Sequence, residues 1–322
     1  MGSSSDIDTS VAALYDAWRK FRQGKRASRD ILAFEYYLEQ ELATLSRELT
    51  DGSYMHSPYR QFIVHDSKQR CIAVAAVRDR VVHRLLYEYL NKLYDKTFCY
   101  DVWSCRPGKG LDRAIDRVQQ HMRAYSDKWL WRSDVTKFFD SIDHEILMQC
   151  ITGKVSDGRA LKLISTVIGS YTAIASDRAG LAIGNLTSQI CANIYLHEYD
   201  RFVCHVLKPL GYVRYGDDIV LWAASKRQVR QMAEQSQQFM IATLRLHLNS
   251  GSTVLQPVRR RLHYLGVEFW STGRRLDKRM RIRLRTRVAV ANFSSYDALA
   301  KARGTSADCN ALRGALNHPF HH

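Results

Sequence analysis

Apolar residues recur every three to four positions over 8–50. Leu14, Trp18 and Phe21 come first, then Leu32, Phe34, Tyr37, Leu38, Leu42 and Leu45, the spacing of helices with one buried face. Between the two groups stand Lys20, Arg22, Lys25, Arg26 and Arg29, which read as a solvated face or as an RNA contact. The period then changes. Residues 58–64 and 71–76 are short β-prone runs around a polar stretch at 65–69, which predicts a hairpin carrying Arg60, Lys68 and Arg70. Helical spacing returns over 79–97 and, after a polar connection at 105–110, over about 111–125. Residues 129–135 form a short apolar run containing Asp134 near its end, the pattern of a buried strand. Asp143 opens a further helix, with Ser141 and His144 beside it as capping chemistry. A long amphipathic helix is predicted over 186–207, and two strands over 212–222 joined at Gly216-Asp217-Asp218. A helix at about 226–246, a strand at 264–270 and an arginine-rich tail complete the chain.

Helices alternating with hairpin signals, without internal repeats, predict an α+β chain built on a small sheet. Its 322 residues allow two or three subdomains. Hydrophobic residues at 46% and charged residues at 25% exclude a disordered chain. Charge adds a partner: 48 Lys and Arg against 32 Asp and Glu give a formal +16, which points to a polyanion. The seven cysteines, at 71, 99, 105, 150, 191, 204 and 309, show no C-x-x-C spacing. They read as reduced, mostly buried thiols of a cytoplasmic protein. No run of about 18 apolar residues suggests a membrane span, and the polar start has no signal-peptide core.

Three segments carry candidate chemistry. Tyr215-Gly216-Asp217-Asp218 places two adjacent carboxylates at a tight turn between apolar strands. Such a pair resists joint ionisation unless a cation relieves it, although an ordinary Asp-bearing turn has the same look. Asp134, with Val135 after it, ends the strand at 129–135 and puts a third carboxylate at a sheet edge. Three carboxylates from two strand ends suffice as protein ligands for a pair of Mg²⁺ ions, which prefer oxygen donors and keep substrate phosphates in their shell. Asp140 and Asp143 read instead as caps or braces of the helix that follows. Gly180 to Gln189, with Gly184, leads into the long helix. It allows close backbone approach to a template or nucleotide, or is a plain capped helix start.

In the order Arg70, Asp134, Gly184 to Gln189, Tyr215 to Asp218, Tyr264-Leu265-Gly266, the segments over about 58–320 resemble the reverse transcriptases. Ile183-Gly184-Asn185-Leu186-Thr187-Ser188-Gln189 is further similar to the diversity-generating retroelement branch, with Ile-Gly-x-x-x-Ser-Gln where most relatives carry Gln-Gly-x-x-x-Ser-Pro. Phe138 to His144, Asp79 to His83 and Gly314 to His318 also resemble bacterial members.

The resemblance implies a right-hand polymerase: an N-terminal helical extension at 1–57 and fingers at 58–125. The palm would span 126–270, with a small antiparallel sheet and a fingers/palm helix at 144–180, and a short helical thumb 271–322. It implies RNA-directed DNA synthesis with two Mg²⁺ ions, Mn²⁺ able to substitute, held by Asp134, Asp217, Asp218 and the Val135 carbonyl. Lys68 and Arg70 would hold the incoming triphosphate, Arg70 in bidentate fashion. Phe139 would exclude a 2′-hydroxyl, Gly184 line the nucleotide and Gln189 the template. Tyr215 and Gly216 would touch the primer end, and Tyr264, Leu265 and Gly266 would form the primer grip. The basic residues of the tail, Arg274, Arg275, Lys278, Arg279, Arg281, Arg283, Arg285 and Arg287, would lie on the duplex.

Implied partners are template RNA, primer or cDNA, dNTPs, a structured noncoding RNA and a small basic accessory protein. Gly216 departs from the Met or Ala usual in that branch and makes the primer end roomier. The stretch 246–253 lacks the lysine often found there, which leaves the proton donor to pyrophosphate unassigned, and Ile183 would loosen fidelity at template adenines. Three other readings share these residues: an antiphage-defence reverse transcriptase with its own noncoding RNA, an RNA-dependent RNA polymerase reading ribose through Asp140, and an RNA-binding protein with a dead polymerase fold.

Overall fold

The computed structural model describes residues 6–65, 69–173, 178–286, 293–305, 308–310 and 312. The chain forms two compact units, each drawn from three separate stretches. One takes Met1–Phe98, Val135–Arg201 and Phe239–His247, and the other Cys99–Asp134, Phe202–Gln238 and Leu248–His322.

In the first unit, α1 (Val11–Arg22), α2 (Arg29–Tyr36) and α3 (Leu38–Asp51) realise the helical spacing of 8–50. Ser10 and Ser28 cap α1 and α2 by accepting from Ala13 N and Ile31 N. Leu14, Trp18, Phe21, Phe34, Leu42 and Leu45 are buried, but Leu32 and Tyr37 are each 54% exposed. Ile31 and Phe34, three residues apart, are the buried pair of the short α2, and Leu32 is rotated away from them.

The predicted hairpin is β1 (Arg60–His65) against β2 (Gln69–Val74), in register from Arg60 opposite Val74 to His65 opposite Gln69. α4 (Val77–Tyr94) buries two polar residues on its inner side. Asp79 accepts from Tyr54 Oη (2.7 Å) and Ser57 N (3.2 Å), and His83 Nδ1 meets Thr187 Oγ1 at 2.8 Å.

The single helix expected at 144–180 is two: α6 (His144–Thr152) and α7 (Gly158–Gly169). Asp157 forces the break by capping α7, its carboxylate accepting from Arg159 N at 2.9 Å. Asp143 caps α6 as predicted, through Glu145 N and Ile146 N. α8 (Leu186–Phe202) is buried along most of its length, and the chain runs on as a wider π turn over 203–207.

The second unit holds a four-stranded antiparallel sheet in the order β4-β5-β3-β6. Its strands are β3 (Trp129–Ser133), β4 (Gly211–Tyr215), β5 (Asp218–Ala223) and β6 (Val254–Pro257). A second sheet follows as a meander: β7 (Leu262–Tyr264), β8 (Val267–Trp270) and β9 (Gly273–Leu276). The strand predicted at 264–270 is thus a hairpin. Leu265 (φ 52°) and Gly266 (φ 76°) both stand in the left-handed region, the geometry of a two-residue turn between antiparallel strands.

α5 (Leu111–Ala124) packs Ile115, Val118 and Met122 into a core with Leu130, Val220, Trp222 and Phe269. α9 (Lys226–Leu244) follows β5. α10 (Lys278–Thr286) and α11 (Phe293–Arg303) carry Leu284 and Ala300 into a small cluster with Leu276 and Leu312. Lys68, Arg287 and the segment Gly314 to His318 lie outside the described residues.

The expected burial of the cysteines changes. Only Cys191 is buried and Cys71 is exposed; none of the seven forms a disulfide, and Cys204 Sγ and Cys99 Sγ touch at 3.1 Å. No helix among the described residues is long and apolar enough to cross a membrane.

His121 of α5 sets a pH dependence. Its ring stacks on Tyr125 (5.5 Å) and packs tilted against Trp222 (4.9 Å), and Gly211 leaves room for it, since a Cβ there would stand 2.8 Å from Nδ1. Burial, helped by Arg117, pulls its pKa down to about 4. The unfolded chain therefore takes up a proton below about pH 6.5 that the folded one refuses until about 4. Stability should be unaffected above that window and fall within it, by up to about 1.4 kcal/mol per pH unit. Urea midpoints measured across this range should show a shallower acid limb for His121→Gln than for the parent.

Candidate active site

The β3–β5 register runs from Trp129 opposite Ala223 to Ser133 opposite Ile219. The ladder stops one step short of Asp134 and Asp218, and the Asp134 charge acts on Asp218. Asp218 begins β5 and pairs with Tyr215 of β4, so Gly216 and Asp217 alone form the turn. Gly216 has φ 63° while Asp217 does not enter the left-handed region, the pattern of hairpin turns with glycine first. This gives the departure at Gly216 a backbone reason, and nothing lies within 4 Å of where a Cβ would stand. The turn is braced from within the unit: Ser104 Oγ accepts from Gly216 N and Arg214 Nη1 donates to the Gly216 carbonyl, both at 2.9 Å.

The electrostatics of this edge are unbalanced. Asp218 Oδ1 accepts from Arg132 Nη2 (2.7 Å) and Nε (3.2 Å). Burial holds the Asp218 carboxyl above its usual range, Arg132 opposes that, and the charge of Asp134 pushes it up again. The Asp134 carbonyl accepts from Asn249 N at 2.8 Å, and its Oδ2 meets Asn249 Nδ2 at 3.4 Å. Its other carboxylate oxygen, Oδ1, is buried with no hydrogen-bond partner. A buried acceptor left unmet is costly, and a cation would meet it. Oxygen-only donors suit Mg²⁺. The cage is not closed, however: no three His, Cys, Asp or Glu among the described residues converge as a metal-holding group. Asp218 is instead engaged by Arg132.

Tyr264 reaches the same edge, donating from Oη to the Asp218 carbonyl at 3.0 Å, and its ring carries the Arg132 guanidinium at 5.6 Å. Leu265 and Gly266 form the turn after it. Among residues not singled out from the sequence, Arg132, Asn249 and Ser104 hold this edge. Arg132 had a signal: it stands two positions before Asp134, on the same face of one strand. Asn249 and Ser104 had none, since their contacts span more than 100 residues.

The other sequence-derived positions fall in the first unit. Val135, next after Asp134, is buried. Phe139 is half-buried in the short 3₁₀ turn after Lys137, edge-on to Phe138 at 5.4 Å, its carbonyl accepting from Leu181 N at 2.8 Å. Gly184 has φ 111°, and a Cβ there would stand 3.1 Å from Ile72 of β2. Ala73 N donates to the Ile183 carbonyl (3.1 Å), and Asn185 Nδ2 to the Ala73 carbonyl (3.0 Å). The strand containing Arg70, opposite Val64 in the ladder, is thereby tied to the Gly184 segment. Gln189 is exposed on α8, while Thr187 and Ser188 are buried, Ser188 Oγ donating to the Ala182 carbonyl at 2.8 Å.

A sheet whose neighbouring strand ends and turn present acidic residues from two chain segments defines a polymerase-type palm. The reverse transcriptase (RNA-dependent DNA polymerase) profile matches residues 64–269, and the chain belongs to that family. It is 26% identical to protein YkfC of Escherichia coli over 85% of this chain and 80% of that protein. It is 25% identical to the group II intron-encoded protein LtrA of Lactococcus lactis, over 59% of this chain and 33% of LtrA. Among solved structures, telomerase from Candida tropicalis aligns at TM-score 0.54 and 10% identity, covering 82% of this chain and 56% of that one. Telomerase from Candida albicans, in complex with a fragment of telomeric RNA, aligns at 0.55 and 11%, covering 78% and 52%. The mixed helix-and-sheet architecture is that of a right-hand polymerase, and the chain spans about half the length of these telomerases.

Proposed function

We propose that the chain synthesises DNA on an RNA template at the edge formed by Asp134, Asp217 and Asp218. The observation that carries this reading is the nearness of Asp134 to Asp218, one step past the end of the β3–β5 ladder, with a buried Asp134 oxygen left without a partner. The three carboxylates and the Val135 carbonyl would hold two Mg²⁺ ions, or Mn²⁺ in their place. When bound, such ions activate the primer 3′-hydroxyl and steady the leaving pyrophosphate. Arg132 would release Asp218 as the cations arrive, so that the positive charge beside that carboxylate is exchanged rather than lost.

The remaining roles divide by unit. Lys68 and Arg70 bind the triphosphate, Phe139 screens the sugar, Gly184 lines the nucleotide and Gln189 the template. Tyr215 and Gly216 meet the primer end, and Tyr264, Leu265 and Gly266 support it from below Asp218. The divisions at 57, 125 and 270 mark extension, fingers, palm and thumb. Removing divalent cations with a chelator should abolish primer extension on an RNA template, and Mg²⁺ or Mn²⁺ should restore it. Extension that persists in excess chelator would contradict the reading.

For the biological setting we infer a cytoplasmic enzyme of the diversity-generating retroelement type, working with a structured noncoding RNA and a small basic accessory protein. Ile183-Gly184 with Ser188-Gln189 supports this. Sequencing the RNA that co-purifies with the protein, and the cDNA made from it, should show errors concentrated at template adenines. Faithful cDNA of a dedicated noncoding RNA would favour an antiphage-defence role instead.

A further inference from the structure

The opposite end of the palm sheet carries a charge cluster that the polymerase chemistry does not use. Trp129 begins β3 there, flanked in register by Ala223 of β5 and Pro257 of β6. Val258 N donates to the Lys128 carbonyl at 2.9 Å, which brings the turn after β6, with Arg259 and Arg260, beside the start of β3. α9 opens three residues after Ala223, and Lys226 Nζ lies over the Trp129 ring at 5.7 Å. Lys226, Arg227 and Arg230 line an open groove along the first turns of α9.

Lys226, Arg227, Arg230, Arg259 and Arg260 are all exposed, and none has an acidic partner among the described residues. Several other arginines of this unit are neutralised. Arg117 pairs with Asp101, Arg274 with Asp116, Arg303 with Asp112, and Arg261 and Arg275 share Glu268. Exposed like charges left unpaired in one place repel each other, and a polyanion relieves that repulsion. Asp127, paired with Lys128, and Glu234 at the groove's far end are the acids close by. Of the large exposed apolar side chains among the described residues, Leu210 stands at this end of the sheet, its N donating to the Trp222 carbonyl at 2.8 Å, and one exposed leucine is less than the apolar core of a protein interface. Cations from two chain segments suit the spaced phosphates of a nucleic-acid backbone. Five residue steps along and just past β3 take the chain from Trp129 to Asp134, about 16 Å.

We propose that this face is a second RNA-binding surface, which holds folded RNA lying beyond the primer–template duplex. The inference rests on the polymerase reading only for the identity of the RNA as the enzyme's own template molecule. The test replaces Arg227, Arg230, Arg259 and Arg260 together with glutamine in the full chain. Two probes are titrated over a salt series: an RNA stem-loop several helical turns long, and a short RNA–DNA primer–template. For the stem-loop the slope of log affinity against log salt should fall by about three to four, with about tenfold or more lost affinity at low salt. Binding and extension of the short duplex should stay within about twofold of the parent.

The matched lysine variant, which keeps the charge, should retain stem-loop binding. If the fourfold glutamine variant does not fold, the Arg227/Arg230 and Arg259/Arg260 pairs should each show about half the slope change. Unchanged stem-loop binding overturns the proposal. Equal losses on both probes also overturn it, placing these residues on the primer–template track. So does release of an acidic protein with RNA binding intact. A parent that binds the stem-loop but extends no primer would sink the polymerase reading and leave this surface standing.

Discussion

Asp217→Asn is expected to lower primer extension on an RNA template at least about a thousandfold, roughly 4 kcal/mol of transition-state stabilisation, while the protein stays folded. Asp217 lies in a two-residue turn and Gly216 supplies the turn's backbone freedom, so the substitution removes charge and little packing. The three carboxylates should fail alike in activity and differently in stability. Asp134→Asn removes a like charge beside Asp218 and should leave stability unchanged or higher. Asp218→Ala leaves the mostly buried Arg132 without its carboxylate and should cost about 1–3 kcal/mol. Thermal melts beside single-turnover extension rates separate the two effects. A variant at Asp217 that extends primers at the parental rate removes the site.

Phe139→Ala is expected to raise use of a ribonucleotide relative to the matching deoxynucleotide by about a hundredfold, close to 3 kcal/mol of discrimination. The side chain is half-buried and braced edge-on by Phe138, and its carbonyl is fixed by Leu181 N. The ring can therefore act as a rigid screen. Its neighbour supplies the control. Phe138 is 3% exposed, so Phe138→Ala should cost about 3–5 kcal/mol of stability through a cavity, with sugar preference unaltered in whatever protein folds. Single-nucleotide extension with paired ribo- and deoxynucleotides reads the ratio directly. An unchanged ratio in Phe139→Ala would remove the sugar-screening role.

Much of the palm is legible in the sequence because its signals are local. The apolar runs at β3, β4 and β5, the turn at Gly216-Asp217 and the cap at Asp143 each follow from residues close in the chain. What escapes is non-local. β6 pairs with β3 across more than 100 residues, and Asn249 reaches Asp134 over a similar separation. Short-range competition hides the rest. Asp157 splits the helix expected at 144–180 by offering the backbone a cap, and Leu265 takes a positive φ that leucine disfavours, turning a predicted strand into a hairpin. Arg132 is the instructive miss: strand alternation places it beside Asp134, and only the structure shows its guanidinium already holding Asp218.

The placement of divalent cations in the assembled enzyme tests the site most directly. Crystals of the protein with an RNA template, a DNA primer and a non-reactive nucleotide can be grown in Mn²⁺ and its anomalous scattering mapped. Two peaks about 3.5–4 Å apart should appear among Asp134, Asp217 and Asp218, with Arg132 drawn off Asp218. Mn²⁺ bound elsewhere, with the three carboxylates unliganded and Arg132 still on Asp218, would contradict the account.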